Sequence, residues 1–442
     1  MAKTFIYDLN KCVGCQACVV ACNIENKTDT NYNWREVNTF NKFQHPALPV
    51  FHLSMACNHC ALSPCLVNCP AKAYERDIVT GVVIHYAEKC IGCKYCTWAC
   101  PYDAPKFNPK KGIVEKCSFC NHRILAGLKP ACANLCPTGA LDFGEKTSTH
   151  LPLQISGFTD ADINPSLEII PLRNNRQLPE LDLKEVNTQL FWQLSEESKP
   201  KIDIRKEWTL VLFTLIAALL NGIFIAGMFT PDLFNPVYFV GVGLFGLFLS
   251  AIHLGKKLRA WRAILNLESS WLSREILLFS IFISLSMVYF YFNKPVIVGW
   301  FTVFVGLASL VAIDKVYQIV SQKTVGEFHS ANTFLTAVFT ASVLIDYKPF
   351  WLIFGFTKLV LCLYRSPSFL DRKINTKKIW FSFRLDFLTT YPLILWAFNV
   401  SQIWWYWSSF LLGEMMDRIE FYRELQTIEP RKQIFDDMKK WF

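Results

Sequence analysis

The chain has 442 residues, of which 52% are hydrophobic and 18% are charged, and its formal net charge at pH 7 is +9. Sixteen of its seventeen cysteines fall within the first 136 residues, and long apolar runs fill the second half. This uneven composition excludes a single soluble domain and predicts two regions in two different solvents. We assign the basic excess to membrane topology rather than to nucleic-acid binding.

The sixteen N-terminal cysteines form four groups of four. They are Cys12, Cys15, Cys18, Cys22; Cys57, Cys60, Cys65, Cys69; Cys90, Cys93, Cys96, Cys100; and Cys117, Cys120, Cys132, Cys136. The first and third groups have the spacing Cys-x2-Cys-x2-Cys-x3-Cys, by which bacterial ferredoxins hold cubane iron–sulfur clusters. Three thiolates hold one cluster, and the fourth ligates a neighbouring cluster. The pattern predicts an electron carrier.

The second and fourth groups carry insertions between their second and third cysteines. The insertion has four residues (Ala61 to Pro64) in the second group and eleven (Asn121 to Ala131) in the fourth. Disulfides and zinc sites are the alternatives for Cys-x2-Cys pairs. The opening residues, MAKTFIYDLN, are no signal sequence, and zinc sites rarely use four such runs. We therefore predict iron–sulfur clusters, and we interpret Cys362 as a small buried hydrophobic residue.

A linker and an apolar region follow the cysteines. Residues 150–206 contain prolines and mixed charges without sustained periodicity, so we expect them to run over the cluster domain or a partner. Beyond residue 207, apolar runs near the roughly 20 residues that cross a bilayer predict eight spans. The predicted spans are 208–229, 237–254, 275–292, 295–313, 331–346, 349–364, 385–400 and 402–421. Core helices of a large soluble protein are the alternative, but too little polar sequence remains to cover them.

Lysine and arginine are distributed unequally between the two sets of short loops. The loops on the side of the cysteine-rich domain contain thirteen: Lys256, Lys257, Arg259, Arg262, Arg274, Lys315, Lys323, Arg365, Arg372, Lys373, Lys377, Lys378 and Arg384. The opposite loops contain two, Lys294 and Lys348. The positive-inside rule therefore predicts a multi-pass protein of the bacterial inner membrane, with the cysteine-rich domain on the cytoplasmic face.

The order of the cysteine groups and the lengths of the two insertions resemble the four-cluster iron–sulfur subunit of the dimethyl sulfoxide reductase family of molybdoenzyme complexes. This resemblance covers residues 4–143. The second half is similar to the membrane anchor subunit of the same complexes, most clearly in residues 253–276, HLGKKLRAWRAILNLESSWLSREI, and more weakly in VYQIVSQKTV and GEMMDRIEFY. The chain thus resembles a fusion of two subunits.

The resemblance implies a fold with three parts. They are an α+β doubled ferredoxin-like cluster domain (1–149), an extended linker (150–206) and an all-α bundle of eight transmembrane helices (207–442). It also implies four [4Fe-4S] clusters, held by Cys12, Cys15, Cys18 with Cys136; by Cys117, Cys120, Cys132 with Cys22; by Cys57, Cys60, Cys65 with Cys100; and by Cys90, Cys93, Cys96 with Cys69. Respiratory nitrate reductase relatives have Trp at the position of Cys96 and a three-iron cluster there, so Cys96 implies a four-iron cluster.

Two titratable residues meet at one membrane face, because the predicted second span ends at His253 and the third begins at Glu275. Quinol oxidation releases two protons, and a site for it needs proton acceptors beside the first electron acceptor. The anchor resemblance implies that His253 and Glu275 are catalytic, and Arg259, Trp261 and Tyr317 are candidates to line the quinol pocket. The alternatives are a histidine that caps a helix, an acid in a first helical turn and interfacial anchors.

Lys358 and Glu414 fall inside the sixth and eighth predicted spans. An isolated charge is costly at that depth. We therefore hypothesise that the two side chains neutralise each other across the bundle.

These features predict an electron-transfer and membrane-anchoring subunit that oxidises menaquinol or a similar quinol. Electrons then pass through the clusters to a separate catalytic subunit, which the resemblance implies carries a molybdopterin cofactor. No molybdenum site and no terminal-substrate site are expected in this chain. Two alternatives remain open: a dehydrogenase partner, such as a formate oxidiser, that delivers electrons to quinone, and a redox-driven ion-translocating module.

Overall fold

The computed structural model describes residues 3–29, 31–42, 49–145, 155–158, 161–173, 202–230, 235–318, 329–345, 347–365, 403–425 and 429–439. The chain divides into two compact units, one of residues 1–201 with 427–442 and one of residues 202–426. We call them the cysteine unit and the helical unit. The C-terminal residues fold with the cysteine unit, whereas the sequence prediction places them in the membrane domain.

The cysteine unit is built from short strands and short helices. Its strands are β1 (Lys3–Asp8), β2 (Glu36–Phe40), β3 (Phe51–Met55), β4 (Tyr74–Arg76), β5 (Val83–His85), β6 (Lys106–Asn108), β7 (Ile113–Glu115), β8 (Leu141–Glu145) and β9 (Leu167–Ile170). Its helices before the linker are α1 (Ala17–Asn26), α2 (Pro64–Val67), α3 (Tyr95–Ala99), α4 (Asn121–Leu125) and α5 (Ala131–Asn134).

Strand pairing explains which cysteine groups come together. β1 precedes the first group and pairs antiparallel with β8, which follows the fourth group, in a sheet of order β8-β1-β9. β4 follows the second group and pairs antiparallel with β5, which precedes the third group. The first group is therefore held beside the fourth, and the second beside the third.

The C-terminal helix packs into the core of the cysteine unit. Its residues Ile434 and Met438 belong to the same buried cluster as Phe5 and Phe119. A Cβ at Gly157, whose φ is +83°, would lie 2.5 Å from Ile434, so the chain passes this helix without room for a side chain. This segment, Pro430–Lys439, is thus part of the cysteine unit's interior packing.

The helical unit is wound around one buried helix. After the cysteine unit the helices are α6 (Ile204–Phe229), α7 (Pro236–Ile252), a 3₁₀ helix (Lys257–Ile264), α8 (Trp271–Tyr291), α9 (Val296–Gln318), α10 (Thr333–Leu344), α11 (Lys348–Arg365), α12 (Ile403–Glu424) and the C-terminal α13 (Pro430–Lys439). The side chains of Asp203, Asn235, Ser270 and Asn332 accept hydrogen bonds from the first-turn N–H groups of α6, α7, α8 and α10. α6 packs against α7, α9, α10 and α12.

Small residues allow the closest helix crossings in this unit. A Cβ at Gly222 of α6 would lie 2.6 Å from the carbonyl oxygen of Ala337 in α10. Such close backbone approach is typical of helices that pack in membranes.

Three described helices are long and apolar enough to cross a membrane: α6, α8 and α9. α7 and the following 3₁₀ helix, bent by 106°, make a fourth if they count as one span, and two further apolar helices, within α10 and α11, are shorter. The predicted span 385–400 lies outside the described residues. The described part of the chain thus contains three or four candidate spans, and the predicted bundle of eight is not confirmed.

Candidate iron–sulfur and quinol sites

One backbone feature recurs in all four cysteine groups. The residue before the second cysteine of each group has a left-handed conformation, with φ values of +70°, +43°, +70° and +55°: Gly14, His59, Gly92 and Phe119. This conformation costs a non-glycine residue about 1–2 kcal/mol. In two groups its N–H donates to the sulfur of the first cysteine, from Gly92 to Cys90 (3.4 Å) and from Phe119 to Cys117 (3.3 Å). The insertions in the second and fourth groups therefore leave the loop conformation unchanged.

Three cavities in the cysteine unit are each lined by four cysteines. Their empty volumes are similar, about 360, 320 and 290 Å³. The first is lined by Cys57, Cys60, Cys65 and Cys100; the second by Cys12, Cys15, Cys18 and Cys136; and the third by Cys69, Cys90, Cys93 and Cys96. In each, three cysteines come from one group and the fourth from another. These combinations match three of the ligand sets that the family resemblance implies.

The remaining four cysteines, Cys22, Cys117, Cys120 and Cys132, also lie close to one another. The side-chain amide of Asn26 is 3.6 Å from the sulfur of Cys22 and 3.8 Å from that of Cys120. Cys132 is an electrostatic neighbour of Cys22, Cys117 and Cys120. The structure therefore gathers the fourth implied set as well.

The thiols suit soft metal ions. Burial raises the pKa of Cys22 to about 12 and that of Cys69 to about 11, so both are protonated at neutral pH without metal. Burial acts in the same direction on Cys136, but its pKa is lowered, because N–H groups such as that of Leu141, 3.4 Å from the sulfur, outweigh burial. All sixteen cysteines are free of disulfides. Four-thiol sets of this kind fit iron–sulfur clusters, whose binding releases the thiol protons.

In the helical unit, two of the predicted quinol-site residues share a buried polar cluster. The Glu275 side chain of α8 is 3% exposed, and its Oε2 makes no hydrogen bond within the described residues. It lies within electrostatic range of Asp314 and Tyr317 of α9. The hydroxyl of Tyr317 is hydrogen-bonded to that of Tyr422 in α12. A carboxylate and two phenols are thus brought together inside the unit.

The other three predicted quinol-site residues lie closer to the surface. His253 is the half-buried residue that ends α7. Arg259 and Trp261 lie on the 3₁₀ helix, which packs against α8. Arg259 is half-buried, whereas Trp261 is 62% exposed, with the Arg262 guanidinium 5.1 Å from its ring centre. Trp261 is therefore a rim residue rather than part of the buried cluster.

The predicted pairing of Lys358 with Glu414 is confirmed. The Lys358 amino group is 2.7 Å from the Glu414 carboxylate, both bond to the hydroxyl of Thr336, and Asp417 lies 3.7 Å from Lys358. Both partners are buried.

The sequence prediction missed the other polar residues that α12 contributes. Asp417, Arg418 and Tyr422 follow Glu414 at helical spacings of three, four and eight, and all four are at most 3% exposed. Side chains at these spacings share one face of a helix. That spacing was the signal in the sequence, because it marks a buried polar stripe on an otherwise apolar helix.

Sixteen thiols gathered in four-thiol sets, followed by apolar helices, define a membrane-associated iron–sulfur electron-transfer protein. Residues 48–146 match the family model of a 4Fe-4S dicluster domain, and residues 204–348 match that of the DMSO reductase anchor subunit (DmsC). The protein belongs to the dimethyl sulfoxide reductase family of iron–sulfur subunits, and it carries the anchor module in the same polypeptide.

Curated relatives cover the N-terminal part of the chain. The sequence is 38% identical over 181 residues to an iron–sulfur-family chain of the anaerobic dimethyl sulfoxide reductase from Haemophilus influenzae, which covers 38% of this chain and 88% of the relative. It is 39% identical over 148 residues to a tetrathionate reductase subunit from Salmonella typhimurium, covering 33% and 58%. It is 35% identical over 159 residues to the formate dehydrogenase-O iron–sulfur subunit from Escherichia coli, covering 32% and 53%. Both reductases and a dehydrogenase are therefore among its relatives.

Proposed function

We propose that this chain is the quinol-oxidising, electron-transferring and membrane-anchoring subunit of a molybdoenzyme complex. Menaquinol or a similar quinol is oxidised at the helical unit, and electrons pass through four [4Fe-4S] clusters to a separate molybdopterin-bearing catalytic subunit. The observation that carries the proposal is the gathering of sixteen thiols into four-thiol sets in a polypeptide that also contains the anchor module.

The cysteine sets hold the clusters in this proposal. The sets are Cys12, Cys15, Cys18, Cys136; Cys22, Cys117, Cys120, Cys132; Cys57, Cys60, Cys65, Cys100; and Cys69, Cys90, Cys93, Cys96. When bound, the clusters supply one-electron transfer at potentials that the protein tunes. The chain contributes N–H groups that point at sulfur, as from Ala73 to Cys69 (3.3 Å) and from Leu141 to Cys136 (3.4 Å). Such hydrogen bonds stabilise negative charge on the ligands.

The helical unit supplies the proton acceptors. Glu275 is the proposed inner acceptor, because its buried Oε2 makes no hydrogen bond within the described residues and the phenol of Tyr317 lies in electrostatic range. His253 is the proposed second acceptor at the end of α7, where it is half-buried. Arg259 and Trp261 line the entrance in this proposal. General bases placed in this way accelerate proton removal by about 10²–10⁴-fold.

We also propose that the cysteine unit lies on the cytoplasmic face of a multi-pass protein. The support is the charge asymmetry of the loops, with thirteen basic residues against two. Protease added to right-side-out vesicles should leave the cysteine unit intact and should digest it after the membrane is opened. Digestion in sealed vesicles would reverse the orientation.

The central experiment is cluster reduction in the purified native complex. We expect a molybdopterin subunit to co-purify, and a menaquinol analogue to reduce the clusters anaerobically. Glu275→Gln keeps the side-chain shape but removes the proton acceptor, so quinol-driven reduction should slow by at least about tenfold while dithionite still reduces every cluster. Glu268→Gln is the control, because Glu268 is an exposed carboxylate just before α8. Unchanged quinol kinetics in Glu275→Gln would remove this residue from the site.

Electron flow in the opposite direction is the second candidate, favoured by the similarity to the formate dehydrogenase-O subunit. In that case a dehydrogenase partner delivers electrons to quinone through the same clusters. The co-purifying catalytic subunit separates the two: formate-dependent quinone reduction by the complex would establish the dehydrogenase direction, whereas quinol-dependent reduction of a terminal acceptor establishes the other.

A further inference from the structure

Arg35 is a buried cation in the interior of the cysteine unit. Its side chain is 2% exposed. Nη1 donates to the carbonyl oxygen (3.3 Å) and the hydroxyl (3.0 Å) of Ser54, and the guanidinium lies 4.6 Å from the ring centre of Phe5. The Ser54 hydroxyl is in turn 3.4 Å from the sulfur of Cys18. Arg35 is therefore held in place beside a thiol of the first cysteine group.

Within the described residues, no carboxylate lies within ion-pair distance of Arg35, and its Nε and Nη2 have no hydrogen-bond partner. The groups in electrostatic range are thiols of two different sets. They are Cys132, Cys18, Cys117 and Cys22. Cys18 belongs to one set and the other three belong to the set of Cys22, Cys117, Cys120 and Cys132. The guanidinium thus stands between two four-thiol sets with two donor nitrogens unused.

A charge in this position needs a counter-charge. Arginine stays protonated in proteins, and a buried ion without a partner costs several kcal/mol. Lys116, which is also buried, differs because its amino group donates to the carbonyl oxygens of Val83 and Cys117. For Arg35, the anions that the surroundings can offer are thiolates and the sulfurs they would surround.

We propose that Arg35 is the counter-ion shared by the clusters of two sets, that of Cys12, Cys15, Cys18 and Cys136 and that of Cys22, Cys117, Cys120 and Cys132. Its ligand class is an anionic iron–sulfur cluster, so the inference rests on the proposed function. Reduction adds one electron to a cluster, and a fixed positive charge beside it favours the reduced form. Arg35 therefore raises the reduction potentials of these two clusters above those they would have without it. It is a positioning and tuning residue, because it acts through the cysteine sets.

The test is a potentiometric titration of the full-length holoprotein in its native membranes, followed by electron paramagnetic resonance, with iron assayed in each sample. In Arg35→Gln we expect reduction of at least one cluster to become about tenfold less favourable, which is a downward shift of about 59 mV for one electron. Arg35→Lys keeps the charge and should shift less. Arg123→Gln is the matched control, since it removes a cation that is paired with Glu25 (3.1 Å) and partly exposed, and it should leave the potentials unchanged.

Each outcome bears on the inference. Wild-type potentials in iron-replete Arg35→Gln would overturn it, and so would an equal shift in Arg123→Gln. If Arg35→Gln loses iron, retained iron and near wild-type potentials in Arg35→Lys support the charge role, whereas loss of iron in both variants overturns it in favour of packing. Absence of cluster signals in the wild-type protein would instead contradict the proposed function itself.

Discussion

The two units of this protein treat buried charge differently. In the helical unit, the buried amino group of Lys358 lies 2.7 Å from Glu414 and 3.7 Å from Asp417, so the charge is balanced by the chain's own side chains. In the cysteine unit, buried Arg35 has no carboxylate within ion-pair distance among the described residues. The comparison teaches that this buried charge of the helical unit is balanced internally, whereas the cysteine unit is built around anions that the polypeptide alone does not supply.

The cores of the two units differ in the same way. Cys57, Cys60, Cys117 and Cys132 belong to the buried core of the cysteine unit, so the predicted metal ligands are also its packing residues. The helical unit instead packs aromatic rings, such as Phe224 against Phe282 and Tyr289, with ring centres 5.7 and 5.2 Å apart. Metal should therefore be a structural component of one unit and irrelevant to the interior of the other.

Removing iron should break this contrast with the largest effect. We expect anaerobic oxidation and chelation of the purified protein in detergent to unfold the cysteine unit, because the clusters fill its core and balance its charge. The helical unit should keep its structure, since the Lys358 charge is paired internally and the core is apolar. Hydrogen exchange measured separately for residues 3–145 and 204–318 would show loss of protection in the first range alone.

Reconstitution with iron and sulfide provides the control for that experiment, and it should restore protection in the cysteine unit. An apo cysteine unit that keeps native protection would show that the fold does not depend on metal. Equal loss of protection in both units would show that the helical unit is not independent.

The Lys358–Glu414 pair tests the other side of the comparison. Lys358→Met leaves a buried carboxylate without its cation and should destabilise the helical unit by about 3–5 kcal/mol. Adding Glu414→Gln should restore part of the stability, because the amide carries no charge and can still bond to Thr336. Thermal unfolding in detergent, followed by circular dichroism, measures the four members of the cycle. Lys257→Met, at an exposed position, is the control.

Strictly additive effects of the two substitutions would show that the 2.7 Å contact carries no coupling energy. Loss of iron in Lys358→Met, with a normally folded helical unit, would contradict the assignment of this pair to the helical unit's own stability.

Much of the site was predictable because ligand spacing is a local property. The spacing of Cys12, Cys15 and Cys18 predicts a cluster loop, and the structure gives that loop the same left-handed residue found in the other groups. The pairing between groups came from the family resemblance, and in the structure the β1–β8 and β4–β5 ladders bring the same groups together. The apolar runs indicated helices, although 3.6-residue periodicity does not fix how many cross the membrane.

Long-range contacts were not predictable in this way. Arg35 stands in an ordinary polar stretch of sequence, and its burial follows only from the packing of β2 and β3 around it. Residues 430–439 form a polar helix at the end of an apolar region, and no local signal shows that Ile434 and Met438 join the core of the distant cysteine unit.

Acid provides the smallest and finest test, because one histidine of the cysteine unit is buried in its neutral form. Burial, with Lys116 acting in the same direction, lowers the pKa of His85 from 6.5 to about 4. Its Nε2 has no hydrogen-bond partner within the described residues, and its ring packs 4.8 Å from that of Tyr74. Between pH 6.5 and 4 the unfolded chain therefore binds a proton that the folded unit does not, so stability falls as pH falls.

Linkage converts this pKa difference into about 2 kcal/mol lost between about pH 7 and pH 5. His85→Gln removes the titrating group, so the variant should lose that much less stability than the wild type over the same interval. The Tm of the holoprotein, followed by cluster absorbance across this pH interval, measures the difference, and comparison with the wild type cancels the acid sensitivity of the clusters themselves. His122→Gln removes an exposed histidine and should follow the wild-type curve. A His85→Gln curve parallel to the wild type would place the acid sensitivity elsewhere in the unit, with buried His59, whose pKa is also lowered by burial, as the next residue to substitute.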